Sequence, residues 1–211
     1  MVAERRNWRQ LVISKRPTRV RKQSICVFTE GETESLYFSA FELPTLRVKC
    51  FGLGGGNACH LVKEAKSQRS SSQFSDFDQY WIVFDCDDNS ENELQHAIRL
   101  AENSRFRWCF SNPCFEIWIL LHYVFRESST TAQELKHNLL PKYIPNYRET
   151  MPGVKQILES YQHIALRNAE RLNPIDSRHR WKQRLRQANP STNVDELVCL
   201  LNKFAEQYGV R

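Results

Sequence analysis

Three aspartates follow directly after the apolar run Tyr80–Phe84: Asp85, Asp87 and Asp88, with Cys86 among them. Such a run is typical of a buried strand that ends at the rim of a sheet, where ligands of open α/β sheets bind. Side chains two residues apart on an extended chain point the same way, so Asp85 and Asp87 are expected to converge. Converging carboxylates repel each other unless a cation such as Mg2+ lies between them. A second interpretation stays open, because aspartates are also common at strand ends, turns and helix N-caps.

A second pair of acids, Glu30 and Glu34, stands one strand–helix–strand unit earlier in the chain. Glu30 follows Ser24–Thr29, a short apolar run that predicts the first strand, and Glu34 falls at the entry to a helix. Together with Asp85 and Asp87, these acids would place four carboxylates at the ends of two adjacent strands. Because such a concentration of charge requires a shared counter-charge, the spacing predicts a divalent metal site.

Glu116 is a lone charge in the apolar run Phe115–Leu121. An unpaired buried carboxylate is energetically costly, which makes Glu116 a candidate for a further metal ligand. The alternative is a glutamate in the first turn of a helix, where the helix dipole stabilises it.

The elements that would position these acids alternate between strands and helices. Apolar runs predict strands over residues 24–29, 46–51, 80–84 and 105–110. Helical patterns predict a helix from Glu32 or Thr33 and further helices over residues 58–68, 91–103, 115–123, 132–140, 153–172, 177–188 and 194–208. This alternation predicts an α/β fold with a mostly parallel central sheet and helices on both faces. The expected division is a basic N-terminal arm (1–22), a core (23–128) and a helical C-terminal extension packed on that core (129–211).

A glycine-rich stretch, Gly54, Gly55 and Gly56, precedes the helix for which Asn57 is a credible N-cap. A glycine loop that enters a helix can hold a phosphate with backbone N–H groups, so these four residues form a phosphate-loop candidate. The stretch lacks the Lys-Ser/Thr ending of a P-loop, and a plain flexible turn is the alternative.

Basic residues are concentrated in two blocks, although the net charge of the whole chain is only +6. The first block is residues 1–22. The second contains the candidate nucleic-acid-binding residues Arg178, Arg180, Trp181, Lys182, Arg184 and Arg186. Arginines on phosphates and a tryptophan stacked on a base would suit RNA or DNA. The alternative is a basic tail and an ordinary solvated helix face.

The composition, with 211 residues of which 41% are hydrophobic, suits one medium-sized globular domain with an extension. No apolar run approaches the length of about 18 residues that a membrane span requires, and we expect no contact with a membrane. The seven cysteines form no C-x-x-C pair and mostly lie in apolar runs, as is typical of reduced residues in a cytoplasmic protein.

Two acidic strand ends, Glu30-Gly31 and Asp85-Cys86-Asp87, resemble the Toprim pattern of topoisomerases, primases and several nucleases. The chain more specifically resembles the RloB family of bacterial defence-associated proteins, over about residues 22–200. The segments that carry this resemblance are residues 30–34, 54–56, 84–88, 111–118 and 189–194.

The resemblance implies a Toprim fold in which Glu30, Asp85 and Asp87 hold Mg2+ or Mn2+ and form the catalytic set. Glu34 matches the second acid of the related OLD-type nucleases, and Glu116 is a further ligand candidate. The implied activity is metal-dependent hydrolysis of phosphodiester bonds in RNA, including tRNA, or in DNA, in anti-phage defence. An AAA- or ABC-type ATPase is the implied partner, and a homo-oligomer is one of the compatible assemblies.

Two other classes of function stay open. The chain could be a regulatory nucleic-acid-binding or toxin-like subunit whose metal is structural and which a partner switches, or a nucleotide-handling enzyme that uses Gly54–Gly56. One position departs from the family pattern: Glu149 stands where family members often carry a lysine. If a cation is needed there, Lys142 or Lys155 is expected to supply it.

Overall fold

The computed structural model describes residues 23–51, 57–87, 89–174 and 184–209. Five strands in these ranges form one sheet in the order β2-β1-β3-β4-β5. Their bounds are β1 Ile25–Thr29, β2 Leu46–Cys50, β3 Gln79–Asp85, β4 Arg107–Asn112 and β5 Ser191–Thr192. The first four strands run parallel, while β5 pairs antiparallel with β4. The mostly parallel sheet that the sequence predicts is therefore confirmed.

The helices follow the strands in alternation as far as Leu121, and the remaining chain is largely helical. Their bounds are α1 Glu32–Ser39, α2 Ala58–Arg69, α3 Glu91–Asn103, α4 Glu116–Leu121, α5 Ala132–Glu134, α6 Val154–Leu158, α7 Gln162–Leu172 and α8 Val194–Tyr208. Single turns of other helix types lie at Leu135–Leu139 (π) and at Leu140–Lys142, Glu159–Tyr161 and Leu185–Gln187 (3-10).

Helices cover both faces of the sheet, which explains why the central strands are apolar along their whole length. Every residue of β1 is buried. Val27 and Val83 face a cluster that includes α1, α4, α7 and α8, whereas Phe28 and Ile82 face α2 and α3. This two-sided burial confirms the α/β class and is consistent with a Toprim-like fold.

The C-terminal part of the chain differs from the sequence prediction in one important way. We predicted only helices after Thr131, but Ser191 and Thr192 form β5 and extend the sheet beside β4. A two-residue strand has no period that a sequence pattern could reveal. The buried cluster on this face also runs from Ile25 to Phe204, so helices of the predicted extension share a hydrophobic core with the sheet.

Three predicted helices are also interrupted or shortened. The helix predicted over 132–140 is a short α-turn followed by a π turn, and Pro141 then opens a 3-10 turn because proline lacks the N–H that a helix needs. The helix predicted over 153–172 is divided by the 3-10 turn at Glu159–Tyr161. Of the helix predicted over 177–188, residues 184–188 contain only a 3-10 turn, and 177–183 lie outside the described residues.

None of the helices in the described ranges combines the length and the apolar character that crossing a membrane would require.

Candidate metal centre

Glu30 lies at the point where the ends of β1 and β3 meet. The two strands are paired in parallel with Thr29 opposite Val83, so the residues that follow each strand are neighbours. The backbone N–H of Glu30 donates to the carbonyl of Val83 at 3.1 Å, and the backbone N–H of Asp85 donates to Glu30 Oε2 at 3.4 Å. The convergence of these two strand ends, predicted from the spacing, is present in the structure.

Glu34 is buried in the first turn of α1, with only 3% of its surface exposed. Its carboxylate packs so closely on Gly31 that a Cβ atom at residue 31 would overlap Oε2 and lie 3.1 Å from Cδ. The pKa of Glu34 is raised to about 8. Burial is the largest cause, and the carboxylates of Glu116 and Glu30 act in the same direction, against a backbone hydrogen bond and Lys136. The buried position therefore disfavours the charged form of Glu34.

Asp85 is surrounded by other acids. Its Oδ1 is shielded from solvent and has no hydrogen-bond partner. Burial is the largest cause that raises the pKa of Asp85 well above its ordinary value, followed by the charges of Glu34, Glu116, Asp87 and Glu30. An unsatisfied buried acceptor costs about 1–3 kcal/mol. A cation at this point would relieve both the orphaned oxygen and the repulsion among the acids.

The loop after β3 is held from the next strand end along the sheet. The backbone N–H groups of Cys86 and Asp87 both donate to the carbonyl of Pro113 at 3.1 Å. The Asn89 side chain donates to the carbonyl of Asp85 at 3.0 Å. Asp87 is exposed at the rim, whereas Asp85 is half-buried. The loop therefore presents Asp87 to solvent beside the buried acids.

The alternative in which these aspartates cap a helix is not realised by Asp85 or Asp87. The N-cap of α3 is Ser90, which forms a capping box with Glu93. Asp88 lies outside the described residues.

Glu116 opens α4 and is buried, with 3% of its surface exposed. Its Oε1 accepts a hydrogen bond of 3.1 Å from the hydroxyl of Tyr147. Burial and the neighbouring Glu116 raise the pKa of Tyr147, so its hydroxyl keeps the proton that it donates. Glu116 therefore lies in the first turn of a helix, and its charge also acts on Glu34 and Asp85, so its role as a metal ligand stays a prediction. Sequence patterns did not single out Tyr147, because it lies 31 residues away from Glu116.

The acids meet a chemical test for a hard divalent ion, although they do not form a ready-made metal-binding group. All five predicted ligands are carboxylates, the donors that suit Mg2+ and Mn2+. Asp85 Oδ1 is an orphaned acceptor among them. As the side chains stand, however, no three His, Cys, Asp or Glu residues in the described ranges are arranged so that they could hold a metal ion. The metal site therefore stays a prediction.

Asn112, at the end of β4, anchors the C-terminal end of the second basic block. Its Nδ2 lies 2.7, 3.1 and 2.9 Å from the carbonyl oxygens of Leu185, Arg186 and Ala188. The guanidinium of Arg186 donates to the carbonyls of Asn89 and, at 3.5 Å, of Asp87. Of the predicted nucleic-acid-binding residues, Arg186 is therefore placed beside the acidic rim.

The other described members of the predicted binding groups are Arg184 and Asn57. Arg184 is exposed. Asn57 is the N-cap of α2, as predicted: its side chain accepts from the His60 N–H at 3.0 Å and donates to Glu93 at 3.0 Å. The arm 1–22, the glycines Gly54–Gly56 and the residues Arg178, Arg180, Trp181 and Lys182 lie outside the described residues, and their roles stay predictions.

A cavity of about 200 Å³ lies at this rim. It is lined by Cys86, Asp87, Asn112, Pro113, Thr130, Thr131, Ala132, Arg186 and Asn189. A larger cavity of about 400 Å³, between the end of α1 and helices α6 and α8, is lined by none of the predicted site residues. The smaller cavity is the relevant one, because it contains both an acid and an arginine of the predicted site.

Comparison with known proteins identifies a family. No curated protein and no solved structure matches the chain. The family model described as "RloB-like protein" matches residues 25–201, which begin at β1 and end within α8. The chain therefore belongs to the RloB-like protein family.

Proposed function

We propose that the chain is a divalent-metal-dependent nuclease that hydrolyses phosphodiester bonds. One observation carries this proposal: buried and partly buried carboxylates from two strand ends and two helix starts act on one another at the rim of the sheet. Asp85 Oδ1 has no hydrogen-bond partner there. A fold would not retain such mutual repulsion unless a bound cation offset it in the working state.

Each acid has a distinct part in the proposed site. Asp85 and Asp87 anchor the metal, and Glu34 and Glu116 complete a set of oxygen ligands. Glu30 is the general base or acid, because it is half-buried and lies against the Asp85 backbone. When bound, Mg2+ or Mn2+ would polarise the substrate phosphate and lower the pKa of a water molecule.

The surroundings of the acids support a nucleic-acid substrate. Exposed Asp87 and Arg186 line the same 200 Å³ cavity. Arginine is suited to phosphate because its donors form a rigid fork. RNA, including tRNA, and DNA are both compatible with this arrangement. A role in anti-phage defence with a partner ATPase, which the sequence resemblance implies, is part of the same proposal.

The direct test is incubation of the purified protein with labelled RNA and DNA in the presence of Mn2+, beside Glu30→Gln and Asp85→Asn. Glu159→Gln is the matched control, because Glu159 is an exposed glutamate paired with Lys155. We expect cleavage by the wild type and the control, and a loss of more than about 100-fold in both site variants. A wild type that cuts neither substrate, or site variants that cut as fast as the wild type, would refute the nuclease. Binding without cleavage would favour the regulatory subunit instead.

A further inference from the structure

A short segment of the C-terminal part, residues 146–150, contacts the acidic rim at three points, and we call it the clasp. The Tyr147 hydroxyl donates to Glu116 at 3.1 Å. The backbone N–H of Thr150 donates to Thr33 Oγ1 at 3.1 Å, next to Glu34. Between them, the carboxylate of Glu149 forms an ion pair with Lys136. The clasp thus touches the two helices that carry Glu34 and Glu116.

The backbone of the clasp is left-handed at both ends, and Thr150 is the strained residue. Asn146 has a φ of 60° and Thr150 a φ of 58°. A left-handed conformation is a clear outlier for a β-branched residue such as threonine. Strain of this kind persists only where the surroundings hold it, and the Thr150–Thr33 hydrogen bond is one such restraint.

Lys136 brings a positive charge to the acids. It lies on the π turn Leu135–Leu139, and 25% of its side chain is exposed. Its charge lowers the pKa of Glu34. Burial lowers the pKa of Lys136, but the carboxylates of Glu116 and Glu149 raise it above its ordinary value. Lys136 is therefore a cation of the acidic rim that solvent, and hence a substrate, can reach.

The two lysines that the sequence suggested for this role are placed differently. Lys155 Nζ is bound to Glu159 at 2.8 Å and lies 4.9 Å from the centre of the Phe41 ring, beside the 400 Å³ cavity. Lys142 is exposed on a 3-10 turn. Only Lys136 of these three has a charge that acts on Glu34 in the structure.

We propose that Lys136 contacts the substrate phosphate beside the acids, and that Glu149 is the positioning residue that holds it there. This inference rests on the proposed function. A lysine is a point charge on a flexible stem. Without Glu149, the acids whose charges already act on Lys136 or respond to it are Glu116 and Glu34, and pairing with them would occupy both the cation and two proposed metal ligands. Glu149, whose side chain is the more exposed of the two, keeps Lys136 available by binding it from the solvent side.

The first test measures binding rather than cleavage. A labelled single-stranded oligonucleotide is titrated with the full chain in Ca2+ at several salt concentrations, with Lys136→Met beside the wild type. Loss of one phosphate contact should weaken binding and make the plot of log affinity against log salt shallower by about 0.7. Lys155→Met is the matched control, since it removes a lysine from another Glu–Lys pair, and it should leave the slope unchanged.

Two further variants distinguish the effect of the positive charge of Lys136 from the effect of its position. Glu149→Gln retains Lys136 and should slow cleavage in Mn2+ while the chain stays folded. In the double variant Lys136→Glu with Glu149→Lys, the two charges are exchanged and the cation lies on the clasp. This variant should restore a large part of the salt dependence of binding that is lost in Lys136→Glu alone. If Lys136→Met does not fold, the exchange variant decides the question in the same assay.

Wild-type affinity and an unchanged slope in Lys136→Met would overturn the inference. Tighter Mn2+ binding by Lys136→Met with unchanged oligonucleotide binding would also overturn it, because Lys136 would then only offset the acids. A wild type that binds with the expected slope but never cuts would refute the nuclease and leave the Lys136 contact standing. Cleavage by the wild type with equal binding and cleavage by Lys136→Met would refute the Lys136 contact alone.

Discussion

The acid at the start of α3 and the acids at the rim of the sheet have pKa values that are shifted in opposite directions. At the start of α3, Glu93 accepts hydrogen bonds from Ser90 N, Ser90 Oγ and Asn57 Nδ2 at 2.8, 2.7 and 3.0 Å. These bonds, led by the backbone N–H of Ser90, lower the pKa of Glu93. At the rim, burial and neighbouring acids raise the pKa of Glu34 and of Asp85.

The difference separates an acid that stabilises the fold in its charged form from acids that oppose folding when charged. Glu93 is surrounded by donors and stabilises its helix in the charged form. Glu34 and Asp85 face other acids and oppose folding when charged. A chain retains such residues where a ligand supplies the missing charge, which is why we assign the rim and not the helix start to function.

Asp85→Asn should have the largest effect and should move activity and stability in opposite directions. Cleavage should fall by more than about 100-fold because a metal ligand is lost. The metal-free protein should become more stable at pH 8, because one acid with a raised pKa is removed from the cluster. Cleavage assays and thermal unfolding in a chelator measure the two effects. A variant that is less stable than the wild type at pH 8 would contradict the repulsion among the rim acids.

The stability of the metal-free protein should decrease as pH rises from about 4.5 to about 8. The pKa of Glu34 is raised on folding, so its contribution to stability is full below 4.5 and is lost as pH rises through about 8. The titration of Glu34 alone should lower the free energy of unfolding by up to about 1.4 kcal/mol for each pH unit. The raised pKa of Asp85 acts in the same direction.

Added Mg2+ or Mn2+ should therefore raise Tm more at pH 8 than at pH 5. Thermal unfolding with and without metal at both pH values provides the measurement. Equal shifts at the two pH values would mean that the metal does not bind the rim acids.

Gly31→Ala should push the Glu34 carboxylate out of its place, because the new Cβ atom would overlap Oε2. We expect a loss of about 1–3 kcal/mol in the free energy of unfolding, typical of overpacking, together with weaker metal binding. The double variant Gly31→Ala with Glu34→Ala should recover most of the stability if this contact is the cause. Additive losses in the double variant would show that the contact is not responsible.

Ser90→Ala should have the smallest effect and should spare activity. Loss of this N-cap should lower the free energy of unfolding by about 1 kcal/mol. Cleavage and metal affinity should stay at wild-type values, since Ser90 bonds Glu93 and not the rim acids. A large loss of activity in this variant would remove the distinction between the two groups of acids.

Local sequence patterns were sufficient for much of the fold. The helix α3 was predicted over 91–103 and has those bounds in the structure, because its cap and its apolar face lie within its own residues. Glu30, Asp85 and Asp87 could also be located, since they stand at the ends of apolar runs whose direction in a parallel sheet is determined. After Thr131 the predictions were weaker, because Pro141 and the two-residue β5 interrupt the pattern within a few positions.

The sequence by itself determined the alternating strands and helices of the first half, where the parallel strands end, and that Glu30, Asp85 and Asp87 lie at those ends. These features depend on neighbours within a few residues, or on the regular geometry of a parallel sheet. Only the tertiary structure decided which groups surround the acids. Tyr147 lies 31 residues from Glu116, Asn112 lies 73 from Leu185, and Thr150 lies 117 from Thr33. Contacts over such separations arise from the packing of the whole chain, which no local pattern encodes.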